Sequence, residues 1–429
     1  MQRKEFGGEK TANPPVNQWK TVLDTCAAVL LALVPILQHY IGIVDNASTT
    51  VLVLLAPYFF LRMLPALRSF KLSDLRFAWL LMAYFVYKLI DHGTYLSEVA
   101  QVGIMCFYLL CLCLNVIDTK ALKNAAVIIA VLAGVAILAQ YVTYYLMGQY
   151  HLRMVPVSWL LPESEAWVER ALTGKVGVTG AVSRFYRPSA FFLEPSHLFL
   201  YSFPGFFITL FSGERKKESL ICAILISIGM VLSTSGMGIA AALGGWALYF
   251  LLHNPADGSF RLRNIIRKQN LILIGCFVLA AGLAVAFVPI LRESVLRIFT
   301  NPEGSTAIAG RIQKAFERLS AMSWKQWIIG ISDYSGKLHF NKPGFMLTAY
   351  RYGIIGIILS YSVYVRSLFK VRVSYFWYTV ILLVVSFFSV HTHGTFFMLF
   401  YVALLKEGEN VTQEPWIRGL TGIFRRSQK

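Results

Sequence analysis

Residues 219–252 read SLICAILISIGMVLSTSGMGIAAALGGWALYFLL, 34 positions without one Asp, Glu, Lys, Arg or His. A helix crosses the hydrocarbon of a bilayer with about 20 such residues. The run is interrupted by the polar stretch Ser233-Thr-Ser-Gly-Met-Gly238, so it contains two crossings and a turn. At about 1.5 Å per residue it rises roughly 51 Å, less than two full crossings of about 30 Å each. The turn therefore sits below the membrane surface, where polar backbone persists only if it is buried in protein or lines a wet cavity. Residues 373–406 repeat the arrangement over the same length, with His391-Thr-His-Gly394 at the turn. Both turns are expected to border a polar cavity that opens outward. For Ser233 to Ser235 the plainer reading is hydroxyls bonding helix-end carbonyls. A pair of imidazoles at membrane depth is costly unless bonded or wet, so His391 and His393 are candidates for function.

Composition extends this reading to the whole chain. Of its 429 residues 56% are hydrophobic and 14% charged, and the mean hydropathy is +0.59. Ordinary soluble domains carry about 25% charged residues, so both a soluble globule and a disordered chain are excluded. Apolar stretches near crossing length fall at 22–43, 49–67, 75–90, 99–117, 124–147, 196–212, 219–234, 237–252, 271–291, 345–365, 373–390 and 394–405. The expected fold is thus an all-α polytopic membrane protein of about twelve transmembrane helices, forming one integral membrane domain over 1–429. The first span follows a polar start without a small-residue cleavage site and reads as uncleaved.

The net charge of +18 is a topology signal before it is a binding signal. With a cytoplasmic N-terminus and strict alternation, the inner segments hold 24 Lys and Arg and the four short outer turns hold none. By the positive-inside rule both termini are cytoplasmic, including a basic tail at 406–429. No nucleic-acid partner is implied. Two outer segments, 148–195 and 292–344, are too long to be turns and are expected to be partly helical and functional. In the second, Arg311, Lys314 and Arg318 share one helix face, which for Lys314 and Arg318 is equally a solvated or lipid-headgroup face. All six cysteines lie in apolar spans, so no disulfide is expected on the exported surface, and Cys111-Leu-Cys113 reads as packing. The sequence has no metal-ligand run and no nucleotide-binding glycine pattern.

Charged residues within spans stand out. Arg351 lies about a turn and a half inside the tenth span and is a functional candidate by default. Lys88, with Asp91 three residues on, and Arg62, near the inner surface, read as structural. The densest cluster is Ser183-Arg-Phe-Tyr-Arg-Pro-Ser-Ala-Phe-Phe-Leu-Glu-Pro-Ser-His197, where the first long outer segment meets the sixth span. Arg184 and Arg187 suit a diphosphate, because guanidinium forks bind phosphate oxygens and stay charged. Glu194 and His197 are placed to accept a proton from a hydroxyl nucleophile. An internal salt bridge with a helix begun by Pro195 is the plainer alternative.

This cluster resembles the R-x-S-x-F-x-E-P-x-x motif of the Wzy-type polysaccharide polymerases, which share an architecture with the O-antigen ligases. Further similar motifs follow in the family's order: Leu232-Ser-Thr-Ser-Gly236, Ala309-Gly-Arg311 with Trp324 to Gly330, and Asn341 through Tyr350-Arg-Tyr-Gly-Ile-Ile-Gly356. The resemblance spans roughly 180–360. It implies a metal-independent membrane glycosyltransferase, with no cofactor, in the bacterial cytoplasmic (inner) membrane. Such an enzyme joins glycan repeats carried on undecaprenyl diphosphate into O-antigen or related lipopolysaccharide glycan, with lipid-linked donor and acceptor, membrane lipid and a chain-length regulator as partners. In that reading Arg184, Arg187, Arg311 and Arg351 clamp the diphosphate, and Glu194 or one of His197, His391 and His393 takes the acceptor proton. Family members do not all keep a histidine at position 197. The alternatives are an O-antigen ligase acting on lipid A core and, from another class, a lipid-sugar transporter, against which stand the long outer segments and the absence of an inverted repeat.

Overall fold

The computed structural model describes residues 18–44, 46–92, 96–148, 187–212, 217–252, 308–331 and 344–410, with isolated helical positions between 272 and 292. Among them every extended element is a helix, and the one β-type pairing is the isolated bridge between Ile41 and Asn46. In chain order these are α1 (Gln18–Leu37), α2 (Ala47–Leu67), α3 (Trp79–His92), α4 (Leu96–Cys113), α5 (Thr119–Met147), α6 (Pro195–Leu210), α7 (Lys217–Leu232), α8 (Gly236–Leu252), α9 (Ile308–Ser320), α10 (Trp324–Ile329), α11 (Gly344–Leu368), α12 (Val373–Phe388) and α13 (Thr395–Asn410). A helix lies at each expected apolar segment except 271–291, of which only isolated positions are described. Four helices, α1, α2, α5 and α11, are long and apolar enough to cross a membrane by themselves, and shorter apolar runs occupy α3, α4, α8 and α12.

The helix ends follow from local chemistry. Asn46 caps α2 by accepting from Thr49 N–H, and Asp118 caps α5 by accepting from Ala121 N–H. Gly148 closes α5 in the left-handed conformation, φ 64°. Ser323 and Gln326 form a reciprocal capping box that starts α10 in the second outer segment. The expected helix near Pro162 lies outside the described residues.

α6 is the axis of the bundle. It is largely apolar, and 14 of its 16 residues are buried, as a helix with little polar face must be. It packs against α5, α7, α8, α12 and α13. Two phenols fix its height: Tyr201 donates to the Ala32 carbonyl of α1 at 2.8 Å, and Tyr401 of α13 donates to the Leu200 carbonyl at 2.8 Å. Lipid offers no hydrophobic drive between helices, so close backbone approach through small residues supplies the adhesion. At the α5–α7 crossing a Cβ on Gly229 would lie 2.7 Å from Gly134 Cα, so only glycine fits.

Arg62 is structural, as its position indicated. It forks onto Asp24 with Nη2–Oδ2 at 2.9 Å and Nε–Oδ1 at 3.0 Å. Lys88 lies 5.9 and 5.7 Å from the ring centres of Tyr84 and Phe85, and the Asp91 side chain is outside the described residues.

Helices α9 and α10 sit on a break in α11. Gly353 has φ 62° and ψ −163°, which splits that helix in two. Ile331 N–H donates to the Tyr350 carbonyl at 2.8 Å, and Tyr87 of α3 donates to the Ile329 carbonyl at 2.8 Å. Leu319 and Met322 bury against Ala349 in a small second core. The two sequence stretches Trp324–Gly330 and Tyr350–Gly353 therefore form one interlocked unit.

Candidate functional site

The site begins where the chain enters α6. Ser189 Oγ donates to the Phe192 carbonyl at 2.8 Å, and Ala190, at φ 51°, turns its N–H onto Oε1 of the fully buried Gln140 of α5 at 2.9 Å. This folded turn delivers Glu194 in extended conformation (φ −149°, ψ 162°) as the residue before helix position Pro195. Proline's missing N–H costs nothing there. Glu194 and His197 then lie one turn apart, with His197 Nε2 at 3.6 Å from Glu194 Oε1. The His197 side chain is 2% exposed and that of Glu194 44%.

Both polar turns converge on this point. In the turn between α7 and α8, Ser233 Oγ donates to the Met230 carbonyl at 2.9 Å, the structural role expected of those hydroxyls. Thr234, at φ 57°, instead turns its hydroxyl to accept from Arg187 Nε at 3.2 Å. In the turn between α12 and α13, the single-turn helix Val390–His393 carries His391, whose ring lies 4.6 Å from that of His197 at an interplanar angle of 84°. A third imidazole, His39, just beyond α1, stacks on His197 with ring centres 4.8 Å apart and planes 5° from parallel. The ligating atoms of Glu194, His197 and His391 all lie within 4.8 Å of one another.

Burial pushes the Glu194 carboxyl up, but His197, the Ser196 hydroxyl, His391 and Arg187 together outweigh it and hold the group below its ordinary pKa. At neutral pH it is a carboxylate. The His391 side chain is exposed, yet the surrounding protein desolvates it and keeps it below the usual imidazole value, with Glu194 pulling the other way. A carboxylate and a neutral imidazole are thus the accessible members of the cluster, while His197 is enclosed.

The other singled-out residues lie elsewhere or outside the described residues. His393 turns away from its neighbour His391: its Nε2 is 3.1 Å from Tyr361 Oη and 3.2 Å from the Ser386 carbonyl, and burial pushes its pKa down to about 4. It joins α11 to α12. Arg351 is half-buried on α11, within electrostatic reach of Tyr84 on α3. Its carbonyl packs against Gly330, and these contacts group it with α3 and α10 rather than with Glu194. Arg184 lies outside the described residues. Arg311 belongs to α9, but its side chain, like that of Lys314, is outside them too. Of the four arginines, Arg187 is the one seen at the cluster. Cys26, Cys106, Cys111, Cys113 and Cys222 are free thiols, and Cys276 is outside the described residues.

His39 and Gln140 carry no local motif. The depth argument applied to His391 covers His39 equally, since Gln38-His39-Tyr40 lies inside the first apolar stretch. Compared as a whole, the sequence matches no protein-family model and no curated protein.

Proposed function

We propose that the chain is a membrane-integral glycosyltransferase that lengthens a glycan carried on undecaprenyl diphosphate by joining it to a second lipid-linked repeat, in the manner of the Wzy-type polymerases it resembles. In this reading the bundle crosses a bacterial cytoplasmic membrane twelve times with both termini cytoplasmic. The recess below the outer surface is then where the saccharide end of the lipid carrier enters.

The convergence of Arg187, Glu194, His197 and His391 at the head of α6 supports this most strongly. Arg187, steadied by Thr234, holds a diphosphate oxygen, Arg184 and Arg311 from the two long segments complete the clamp, and Arg351 on α11 stands apart with α3 and α10. Glu194 accepts the proton of the acceptor hydroxyl. That oxygen attacks the anomeric carbon of the donor as the bond to the diphosphate breaks, and the guanidinium groups stabilise the departing charge. His197 and His391 fix the carboxylate.

The test is the purified protein in lipid nanodiscs supplied with a lipid-linked repeat unit. New glycosidic bonds, seen as products of two and more repeats, are expected. Movement of repeats across a vesicle bilayer without bond formation would overturn the reading in favour of a transporter.

A further inference from the structure

A cavity of about 720 Å³ opens at the foot of α6, within the range of about 300–1,000 Å³ usual for small-ligand sites. Ile208 and Thr209, which line it, lie about 20 Å along the helix from the cluster at its head. The α5 wall of the cavity is graded. Lys120, Lys123, Asn124, Val127 and Ile128 fall at helical spacing on one face. Two ammonium groups and an amide thus give way to aliphatic side chains about 12 Å further along the helix. Across the cavity α7 repeats the order over one turn, from Ser219 to Cys222.

Arg372 enters from the turn before α12. Its Nε is shut off from solvent, makes no hydrogen bond among the described residues, and the side chain does not cap α12. A buried donor in that state is costly and marks a place for an acceptor. Two carboxylates also line the cavity. Glu407 is buried and accepts from Thr119 Oγ1 at 2.7 Å, which ties α13 to α5, whereas Glu218 is exposed in the first turn of α7. Set against Lys120, Lys123 and Arg372, they leave one positive charge in excess, which the single negative charge of a phosphodiester balances.

We propose that this cavity binds an anionic phospholipid, with its phosphodiester headgroup among Lys120, Lys123 and Arg372 and an acyl chain along Val127 and Ile128. Basic pockets between helices at a membrane surface hold such headgroups, and guanidinium and ammonium groups are both phosphate binders. The graded wall decides the source. A soluble phosphoester offers the same oxygens, but only a lipid also covers the aliphatic end, and Ile128 is exposed there. The site stands independently of the glycosyl-transfer reading, and only its sidedness, the inner leaflet, rests on that reading.

The test uses the full-length protein, delipidated in detergent and titrated with dioleoyl phosphatidylglycerol, with bound copies counted by native mass spectrometry. One tightly held copy is expected. Each cation near an anionic headgroup is worth a factor of about five, so Lys120→Gln, Lys123→Gln and Arg372→Gln should each weaken that copy by at least about fivefold. Lys120 is exposed, so its variant keeps the fold even if Arg372→Gln does not. Arg68→Gln, at the end of α2 and outside the lining, should leave the affinity unchanged. Dioleoylglycerol and glycerol phosphate, each carrying half of the ligand, should fail to displace the lipid at equal concentration. Retention unchanged in all three lining variants, or an equal loss in Arg68→Gln, overturns the site. Displacement by dioleoylglycerol overturns the headgroup assignment, and displacement by glycerol phosphate overturns the lipid.

Discussion

Replacing Gly353 with alanine should detach the α9–α10 unit from α11 while leaving the bundle intact. The backbone at Gly353, φ 62° and ψ −163°, lies in a region open essentially to glycine, and placing a side chain there costs about 1–3 kcal/mol. A Cβ at this position also runs into the Ile328 carbonyl and comes within 2.7 Å of Gly330 N. Relieving such overpacking costs about 1–3 kcal/mol more. At 1.4 kcal/mol per tenfold, the sum of about 2–6 kcal/mol shifts the seated-to-lifted ratio by a factor of roughly thirty to twenty thousand. The cheapest relief is to lift α10, because α11 below the break is held by α3 and α12. Hydrogen exchange followed by mass spectrometry should therefore show lost protection over 308–331 and retained protection over 354–368. Gly103→Ala on α4, where a Cβ meets nothing within 4 Å, is the control and should leave both segments unchanged. Undisturbed protection of 308–331 in Gly353→Ala would refute the interlock.

Three further outcomes follow from the packing and the site. Gly229→Leu, at the backbone crossing with Gly134, should lower stability by about 1–3 kcal/mol, read as a drop in Tm of the detergent-solubilised protein. Gln140→Leu leaves the buried Ala190 N–H without its acceptor, a loss of about 1–3 kcal/mol. Because the turn 187–194 then moves, glycan elongation should fall even though Gln140 touches no substrate, and an unchanged elongation rate would separate that turn from the chemistry. In a cysteine-free background of the detergent-solubilised protein, a polar thiol reagent should label His391→Cys but not His197→Cys, since only the former side chain is exposed. Equal labelling of the two positions would contradict the arrangement.

Most of the helices were readable from apolar run length alone, because lipid imposes one constraint on every crossing segment. The polar turns 233–238 and 391–394 were legible as interruptions of long apolar runs, and the structure brings residues of both, Thr234 and His391, to the head of α6. Glu194 and His197 were legible as an i, i+3 pair. The depth argument singled out His391 and His393 together, because the cost of burying an imidazole demands a partner without saying which. For His391 the partner is His197, and for His393 it is Tyr361. His39 pairs with a residue more than a hundred positions away, and no local spacing encodes such a contact. The break at Gly353 was equally hidden, since a glycine within an apolar helix reads as small-residue packing until the facing Ile328 carbonyl is known.

The central claim, that Glu194 takes a proton from an acceptor hydroxyl at the head of α6, is met most directly by Glu194→Gln. The substitution keeps shape and removes the charge. With equal amounts of folded wild-type and variant protein in nanodiscs and one lipid-linked repeat as both donor and acceptor, the first-turnover rate of glycosidic bond formation is the quantity to measure. Loss of a general base typically costs about a hundred- to ten-thousandfold, so a ladder of lengthened glycans in the wild type and bare single repeats in the variant are expected. Elongation by Glu194→Gln within a factor of about three of the wild type, well short of that hundredfold loss, would contradict the assignment.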